Sequence, residues 1–368
     1  MEWNWQRPDW PEFSYHPEAL APLETTFLSE SGKIAGAFAH LDDKDRDTLR
    51  IELLSDEALG TSRIEGEVLD RESVQFSLRA DFGIPSDRQH PVGPKERGIT
   101  ELLVEAYRTF ADPLTDQSLR LWHKKLMCGQ LEDHSLGRYR TGNEPMQIVS
   151  GDPFDPEIHF EAPPSPTVAG EMKRYLDWFN TTVPTKSRIP LPSLARAAIA
   201  HLHFETIHPF SDGNGRIGRA IAEKALSQAM NRPLLLALSH TIEKDRKQYY
   251  QALASTRFTN DITAWVTWFG EAVIRSVEDS RGRVEFVIQK TQFFDRYRGS
   301  LNERQEKVLR RIFREGPRGF KGGLSAGKYE RIAKTSPATA RRDLGRLVTL
   351  GALTRTGKKK GTRYHVIL

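Results

Sequence analysis

The sequence predicts a mainly α-helical protein with one small β-hairpin and a separable, basic C-terminal module. Three observations carry this. Apolar residues recur three and four positions apart through most of the chain, with capping residues between the runs. Before residue 300, only two adjoining short runs, between residues 145 and 162, are β-prone. The charge is also uneven. Residues 301–368 hold 18 Lys and Arg against 5 Asp and Glu, which leaves 36 against 44 in the rest of a chain whose net charge is +5.

The 368 residues exceed one ordinary core, so two or three domains are expected. The opening "MEWNWQRPDWPEF" has neither a basic region nor an apolar run and does not read as a signal peptide. No apolar stretch nears the roughly 20 residues that span a bilayer, so no membrane partner is expected. A lone cysteine, Cys128, excludes an intrachain disulfide, suits the cytoplasm, and reads as a small core residue.

The elements follow in order. Residues 1–42 form a Trp/Pro-rich start followed by a helical pattern from Pro17, and Trp3, Trp5 and Trp10 are expected to pack internally. Residues 43–80 read as two helices broken near Gly60, with Thr61 and Ser62 as a fresh start. Residues 95–130 read as helical on the spacing of Leu102, Leu103, Tyr107 and Phe110. "EPMQIVSG" and "EIHFEAP", joined by "GDPFDP", predict the hairpin. Residues 167–181 and 193–207 read as helices, the second capped by Ser193 and ended by Pro209. Further helices are expected from within residues 208–219 to about Met230, over about 241–256 and over 261–296. In residues 301–368, Asn302 and Gln305 form a capping box. Helices at 326–334 and from Ser336-Pro337 follow, and "GALTRTGKKKGTRYHVIL" reads as strand, basic turn, strand. That order is a winged helix-turn-helix plan, in which Thr339, Arg342 and Arg346 would face a DNA groove and Lys358, Lys359 and Lys360 a phosphate backbone. Such modules also dock proteins.

The chemistry concentrates in "HPFSDGNGRIGR", residues 208–219. A helix precedes it and a helix starts within it, so "DGNGR" lies at a helix N-terminus, where free N–H groups bind anions. Gly213 and Gly215 let the backbone approach phosphate oxygens, and Asn214 adds a donor. Arg216 and Arg219, three apart, supply two guanidinium forks for a polyphosphate. Asp212 is a hard carboxylate beside that phosphate and fits Mg²⁺. A neutral His208 suits a general base. His201, Glu205 and His208 fall at i, i+4 and i+7, but Pro209 and the lack of HExxH argue against zinc. His203 is expected in the core.

The motif resembles that of the Fic family, HxFx[D/E]GNGRxxR, and His208, Phe210, Asp212, Gly213, Asn214, Gly215, Arg216 and Arg219 meet every fixed position. The resemblance covers residues 45–290, within a domain drawn at 43–290, and the first 40 residues resemble a small domain attached to some bacterial members. It implies transfer of AMP from ATP to a Ser, Thr or Tyr hydroxyl of a target protein. His208 would deprotonate that hydroxyl and Asp212 would bind Mg²⁺. Gly213, Asn214 and Gly215 would cradle phosphates, Arg216 and Arg219 would hold the β and γ phosphates, and Phe210 would pack in the core. "TSRIEG" resembles the family's inhibitory motif [S/T]xxxE[G/N] through Thr61, Glu65 and Gly66, on a helix over about 45–67. By that resemblance Glu65 pairs with Arg219 in the γ-phosphate's place. In some relatives the same glutamate positions water for removal of AMP.

The hairpin resembles the family's target-binding flap, with its edge at Gln147, Ile148, Val149 and Ser150. Tyr249 and Tyr250 resemble the pair near the adenine. "ASTRFTND" departs from the asparagine many relatives carry there, which leaves UMP, phosphocholine and phosphate transfer open. Members often dimerise, so a homodimer is among the expected partners. The alternative reading is a regulator that binds DNA through the C-terminal module and uses the rest as a nucleotide sensor.

Overall fold

The computed structural model describes residues 2–85, 89–130, 134–152, 155–184, 187, 190–316 and 319–368. The chain divides into two units, Met1–Ser280 and Arg281–Leu368, each with its own apolar core.

The first unit opens with one turn of 3-10 helix (Asn4–Gln6) and α1 (Pro17–Ala39). Pro17 takes the first helical position, where a missing N–H leaves nothing unpaired. In α2 (Asp43–Ile64) the N-cap is Asp42, which accepts a hydrogen bond from the Asp45 N–H at 2.7 Å. α3 (Arg71–Asp81) is capped by Asp70 and α5 (Asp116–Met127) by Thr115. Between α4 (Pro94–Arg108) and α5 lies Pro113, which cannot continue a helix, so the helical stretch expected over 95–130 is two helices. β1 (Gln147–Asp152) and β2 (Asp155–Glu161) pair antiparallel, Gln147 opposite Glu161, with a register shift between Ile148 and Val149.

The centre of the unit is a helical pair, α7 (Ser193–Ile207) and α8 (Asn214–Ala229), with α6 (Val168–Thr181) packed on α7. Except at Glu205, α7 is buried along its length. Its alanines keep neighbouring helices close, the pattern of a helix enclosed on all sides. The start of α7 is not capped by Ser193. Glu24 of α1 does this instead, accepting from the Ser193 and Leu194 N–H groups at 2.6 and 2.9 Å.

α9 (Leu238–Lys244), α10 (Arg246–Ala254) and α11 (Thr263–Arg296) complete the series. Residues 241–256 are not one helix, because Asp245 leaves the helical region at φ −111°, ψ 29°. Nor does α2 break at Gly60. A Cβ there would lie 2.5 Å from the His240 backbone nitrogen, so Gly60 serves the close approach of α2 and α9. A methyl on Gly60 should therefore reverse the usual helix-propensity gain of about 1 kcal/mol. Gly60→Ala is expected to destabilise by at least about 2 kcal/mol in urea unfolding. Cys128, expected in the core, is exposed at the end of α5, where the helix stops at φ −56°, ψ 124°.

In the second unit, α12 (Glu303–Phe313), α13 (Ala326–Ala333) and α14 (Pro337–Thr349) precede a ribbon of β3 (Leu353–Thr356) and β4 (Arg363–Val366). Asn302 and Gln305 form the capping box of α12. Asp343 of α14 ties the three helices by accepting from Arg304 Nε and the Tyr329 hydroxyl, both at 3.0 Å. Among the described residues, no helix is long and apolar enough to cross a membrane.

Candidate active site

The α7–α8 connection builds the site. His208 ends α7 in the left-handed region (φ 49°, ψ 61°), and its N–H still donates to the Phe204 carbonyl at 3.0 Å. The last carbonyls of a helix lack intrahelical donors, and here a buried arginine supplies them. Arg140 Nε donates to the His208 carbonyl at 2.7 Å and Nη2 to that of Ile207 at 3.2 Å. Nη2 also bonds the Pro163 carbonyl, and Nη1 bonds Ser165 Oγ at 2.9 Å. Sequence reasoning missed Arg140; "GRYR" offers no local signal of so distant a partner. Arg140→Met removes the donor from three carbonyls, those of Pro163, Ile207 and His208, at about 1–3 kcal/mol for each left buried and unpaired. Loss of roughly 3 kcal/mol of stability is expected by calorimetry, and Arg140→Lys should not restore it, since an ammonium lacks the planar fork.

Gly213 begins α8 at φ +78°, a conformation that excludes most other residues. The Asn214 side chain is not a ligand donor. Its Oδ1 accepts from Phe210 N at 3.0 Å and its Nδ2 donates to Phe210 O at 2.8 Å, so it braces the loop and leaves only its backbone N–H for an anion. Phe210 is fully buried, stacked on His123. Asp212 Oδ1 accepts from the Gly213 N–H at 2.5 Å, and the side chain stays 59% exposed.

Both motif arginines are occupied. Arg219, with 2% of its side chain exposed, donates from Nη2 to Glu65 Oε1 at 2.6 Å and to the Thr61 carbonyl at 3.0 Å. Its Nε donates to Thr61 Oγ1 at 2.8 Å. The Glu65 carboxylate lies against Gly215, so close that a Cβ there would collide with it. Arg216 Nη1 donates to Glu67 Oε2 at 2.7 Å. Glu67 went unread in the sequence. The end of α2 explains both contacts. Gly66 sits at φ +82°, its N–H donates to Arg63 O at 3.0 Å, and the Glu67 N–H donates to Ser62 O at 2.9 Å. This is a Schellman turn, which fixes Glu65 at the cap and Glu67 two residues on.

His208, Gly215, Arg219, Glu65, Tyr249 and Tyr250 line one cavity of about 290 Å³, together with Ile148 and Phe160 of the ribbon. The His208 side chain keeps 13% exposure. Burial is the main cause that brings its imidazole down to about 4, so it is neutral at pH 7. Glu205 lies 3.9 Å from His208 Nδ1, and burial, then the Glu65 charge, pushes its carboxyl up to about 8. Tyr249 is buried and hydrogen bonded to His201 Nε2 at 2.8 Å. Tyr250 donates to the Ile64 carbonyl at 3.2 Å, tying α10 to the end of α2. His203 is buried among Trp10, Phe13 and Tyr175. Ile148 and Val149 are about half exposed, and Gln147 Nε2 donates to Glu161 at 2.8 Å. The side chain of Ser150 lies outside the described residues. No group of three metal-ligating side chains occurs among the described residues.

A model described as the Fic/DOC family matches residues 113–226, the stretch that contains β1, β2, α7 and nearly all of α8. Residues 113–226 are thus a Fic/DOC domain. A second model, a domain of unknown function (DUF4172), matches residues 3–84 of this Fic protein, including Thr61, Glu65 and Gly66. Curated relatives include the protein adenylyltransferase fic-1 of Caenorhabditis elegans, 26% identical over 52% of this chain and 34% of its own length. The fic-1 enzyme of Caenorhabditis briggsae is 30% identical over the same shares. The chain thus spans about a third of the length of these relatives. Among solved structures, a Fic family protein from Desulfovibrio desulfuricans G20 covers 94% of this chain and 96% of its own, with 23% identity and a TM-score of 0.55. A Fic domain containing signaling protein from Bacteroides thetaiotaomicron covers 70% and 98%, with 18% identity and a TM-score of 0.52. These likenesses concern the fold.

Outside the Fic unit, Arg342 and Arg346 are exposed on α14, and Arg346 donates to Ser300 O at 3.1 Å. Thr339 lies in the first turn of α14, where its hydroxyl accepts from Ser336 Oγ at 3.1 Å. Lys358 and Lys359 lie between β3 and β4, as does the backbone of Lys360.

Proposed function

We propose that this Fic protein transfers AMP from ATP to a hydroxyl of a protein and is held inactive by its own α2. One observation carries the reading. Glu65 is bonded to Arg219 and laid over Gly215, at the helix N-terminus beside a neutral His208. The curated names of the relatives support the reaction class.

In the active state, Glu65 and Glu67 leave Arg219 and Arg216. The two guanidiniums then meet the distal phosphates, and the N–H groups at the start of α8 meet the rest. His208 takes the proton of the attacking hydroxyl. The oxygen–phosphorus bond forms at the α-phosphate as the α–β bridge breaks, and pyrophosphate leaves. Asp212, exposed at the mouth of the glycine loop, is the one carboxylate of the motif and suits Mg²⁺, which prefers one or two carboxylates plus phosphate oxygens. Bound there, Mg²⁺ would offset phosphate charge. The half-exposed Ile148 and Val149 suit a target segment adding as a strand. With AMP on a product side chain, Glu65 is suited to hold the water that removes it.

The test is label transfer from α-labelled ATP with Mg²⁺ to the protein itself or to lysate proteins. Glu65→Gly should label strongly, the parent weakly, and Glu65→Gly/His208→Ala not at all. Labelling from γ-labelled ATP alone would make AMP the wrong group.

A further inference from the structure

The N-terminal segment forms part of the wall of the active-site cavity. Asn4 lines it, on the single 3-10 turn that precedes α1. The segment is held from several sides. The Asn4 N–H donates to the Arg257 carbonyl at 2.7 Å, and Trp5 Nε1 donates to the Glu161 carbonyl at 2.6 Å. Trp3 stacks on Phe258 at 5.0 Å and meets Phe160 edge-on at 5.5 Å.

Within this built wall, the Asn4 side chain is half satisfied. Oδ1 accepts from the Trp5 N–H at 2.8 Å, whereas Nδ2 has no partner, and the residue is only 1% exposed. A buried amide donor left unpaired is costly, and natively such groups find a partner. The cavity that Asn4 lines also has apolar walls, among them Phe160 of the ribbon and Leu253 and Ala254 at the end of α10. Elsewhere in its wall the same cavity has Gly215 and Arg219, the phosphate end.

Resting on the nucleotide reading above, we infer that Asn4 reads the base of the nucleotide. Nδ2 donates to a ring nitrogen of adenine whose faces lie against Phe160 and Leu253. With Oδ1 committed to Trp5, Asn4 presents a donor alone and recognises an acceptor edge. The domain of unknown function therefore contributes a specificity-determining residue to the Fic site.

The test compares ATP with inorganic tripolyphosphate, which engages the phosphate machinery without a base. Binding of each to Glu65→Gly and to Glu65→Gly/Asn4→Asp is measured by calorimetry. Asp keeps the acceptor for the Trp5 N–H and removes the donor. The inference expects ATP to weaken at least tenfold and tripolyphosphate to change less than twofold. Asn4→Leu, which removes the donor without adding charge, should behave alike. Should either folded variant bind ATP as the Glu65→Gly parent does, the inference is overturned while the nucleotide reading stands. Equal weakening of both ligands also overturns it, as a structural effect. If the parent itself binds neither ligand, the proposed function falls and takes the inference with it.

Discussion

Replacing Glu65 by glycine is expected to raise AMP transfer about 100-fold. The magnitude follows from what the side chain holds. Its carboxylate bonds a guanidinium that is 2% exposed, and it is itself only 30% exposed, so water screens the pair weakly. Displacing such a pair with a nucleotide phosphate takes on the order of 3 kcal/mol, and each 1.4 kcal/mol is tenfold in an equilibrium. Glu65→Gln separates charge from shape. It keeps the hydrogen bond to Arg219 and loses the ion pair, so its rate should lie between parent and glycine variant. Glu67→Gln likewise keeps a hydrogen bond to Arg216 but removes the ion pair, and should add a few-fold on the Glu65→Gly background. Initial rates of self-labelling give all four values. No gain on removing Glu65 would sink the inhibitory role.

The second large effect is loss of transfer when His208 is replaced. On the Glu65→Gly background, His208→Ala should lower the rate by about 10²- to 10⁴-fold, the usual range for a positioned base. Position 208 is left-handed, which alanine adopts at a cost of roughly 1–2 kcal/mol and asparagine more readily. His208→Asn therefore keeps the turn and should be equally inactive; activity there would mean that the turn, not the base, matters. The pH profile gives an independent check. Burial, the largest cause, holds the His208 imidazole near 4, and the Glu65 charge opposes this slightly. Removing Glu65 lowers it further. The kcat/KM of Glu65→Gly should thus stay level from pH 7.5 to 5.5. A limb near 6.5 would indicate an exposed imidazole and a different proton acceptor.

What the sequence disclosed was local. The start of α1 at Pro17, the Asn302–Gln305 box, the hairpin and the glycine loop all depend on residues within a few positions of each other. What it hid comes from far along the chain. Glu24 caps α7 from 169 residues away, Arg140 holds the end of that helix from 68, and Gly60 makes room for His240. Glu57 is buried against Ser239 of α9 and Glu223 of α8, burial raises its carboxyl above the usual range, and nothing near it in the sequence says so. Glu67 was hidden for another reason: its role depends on the Gly66 turn, and the motif that marks Glu65 stops one residue short.

That turn has a mechanical corollary. Glu65 and Glu67 are carried by the one Schellman turn that closes α2, so unwinding that turn would displace both. Fraying a single turn, an event of nanoseconds to microseconds in ordinary helices, strips both acids from both arginines together. Under the proposed inhibition the latch is a helix end, and whatever binds or melts the last few residues of α2 would set the fraction of molecules open for work.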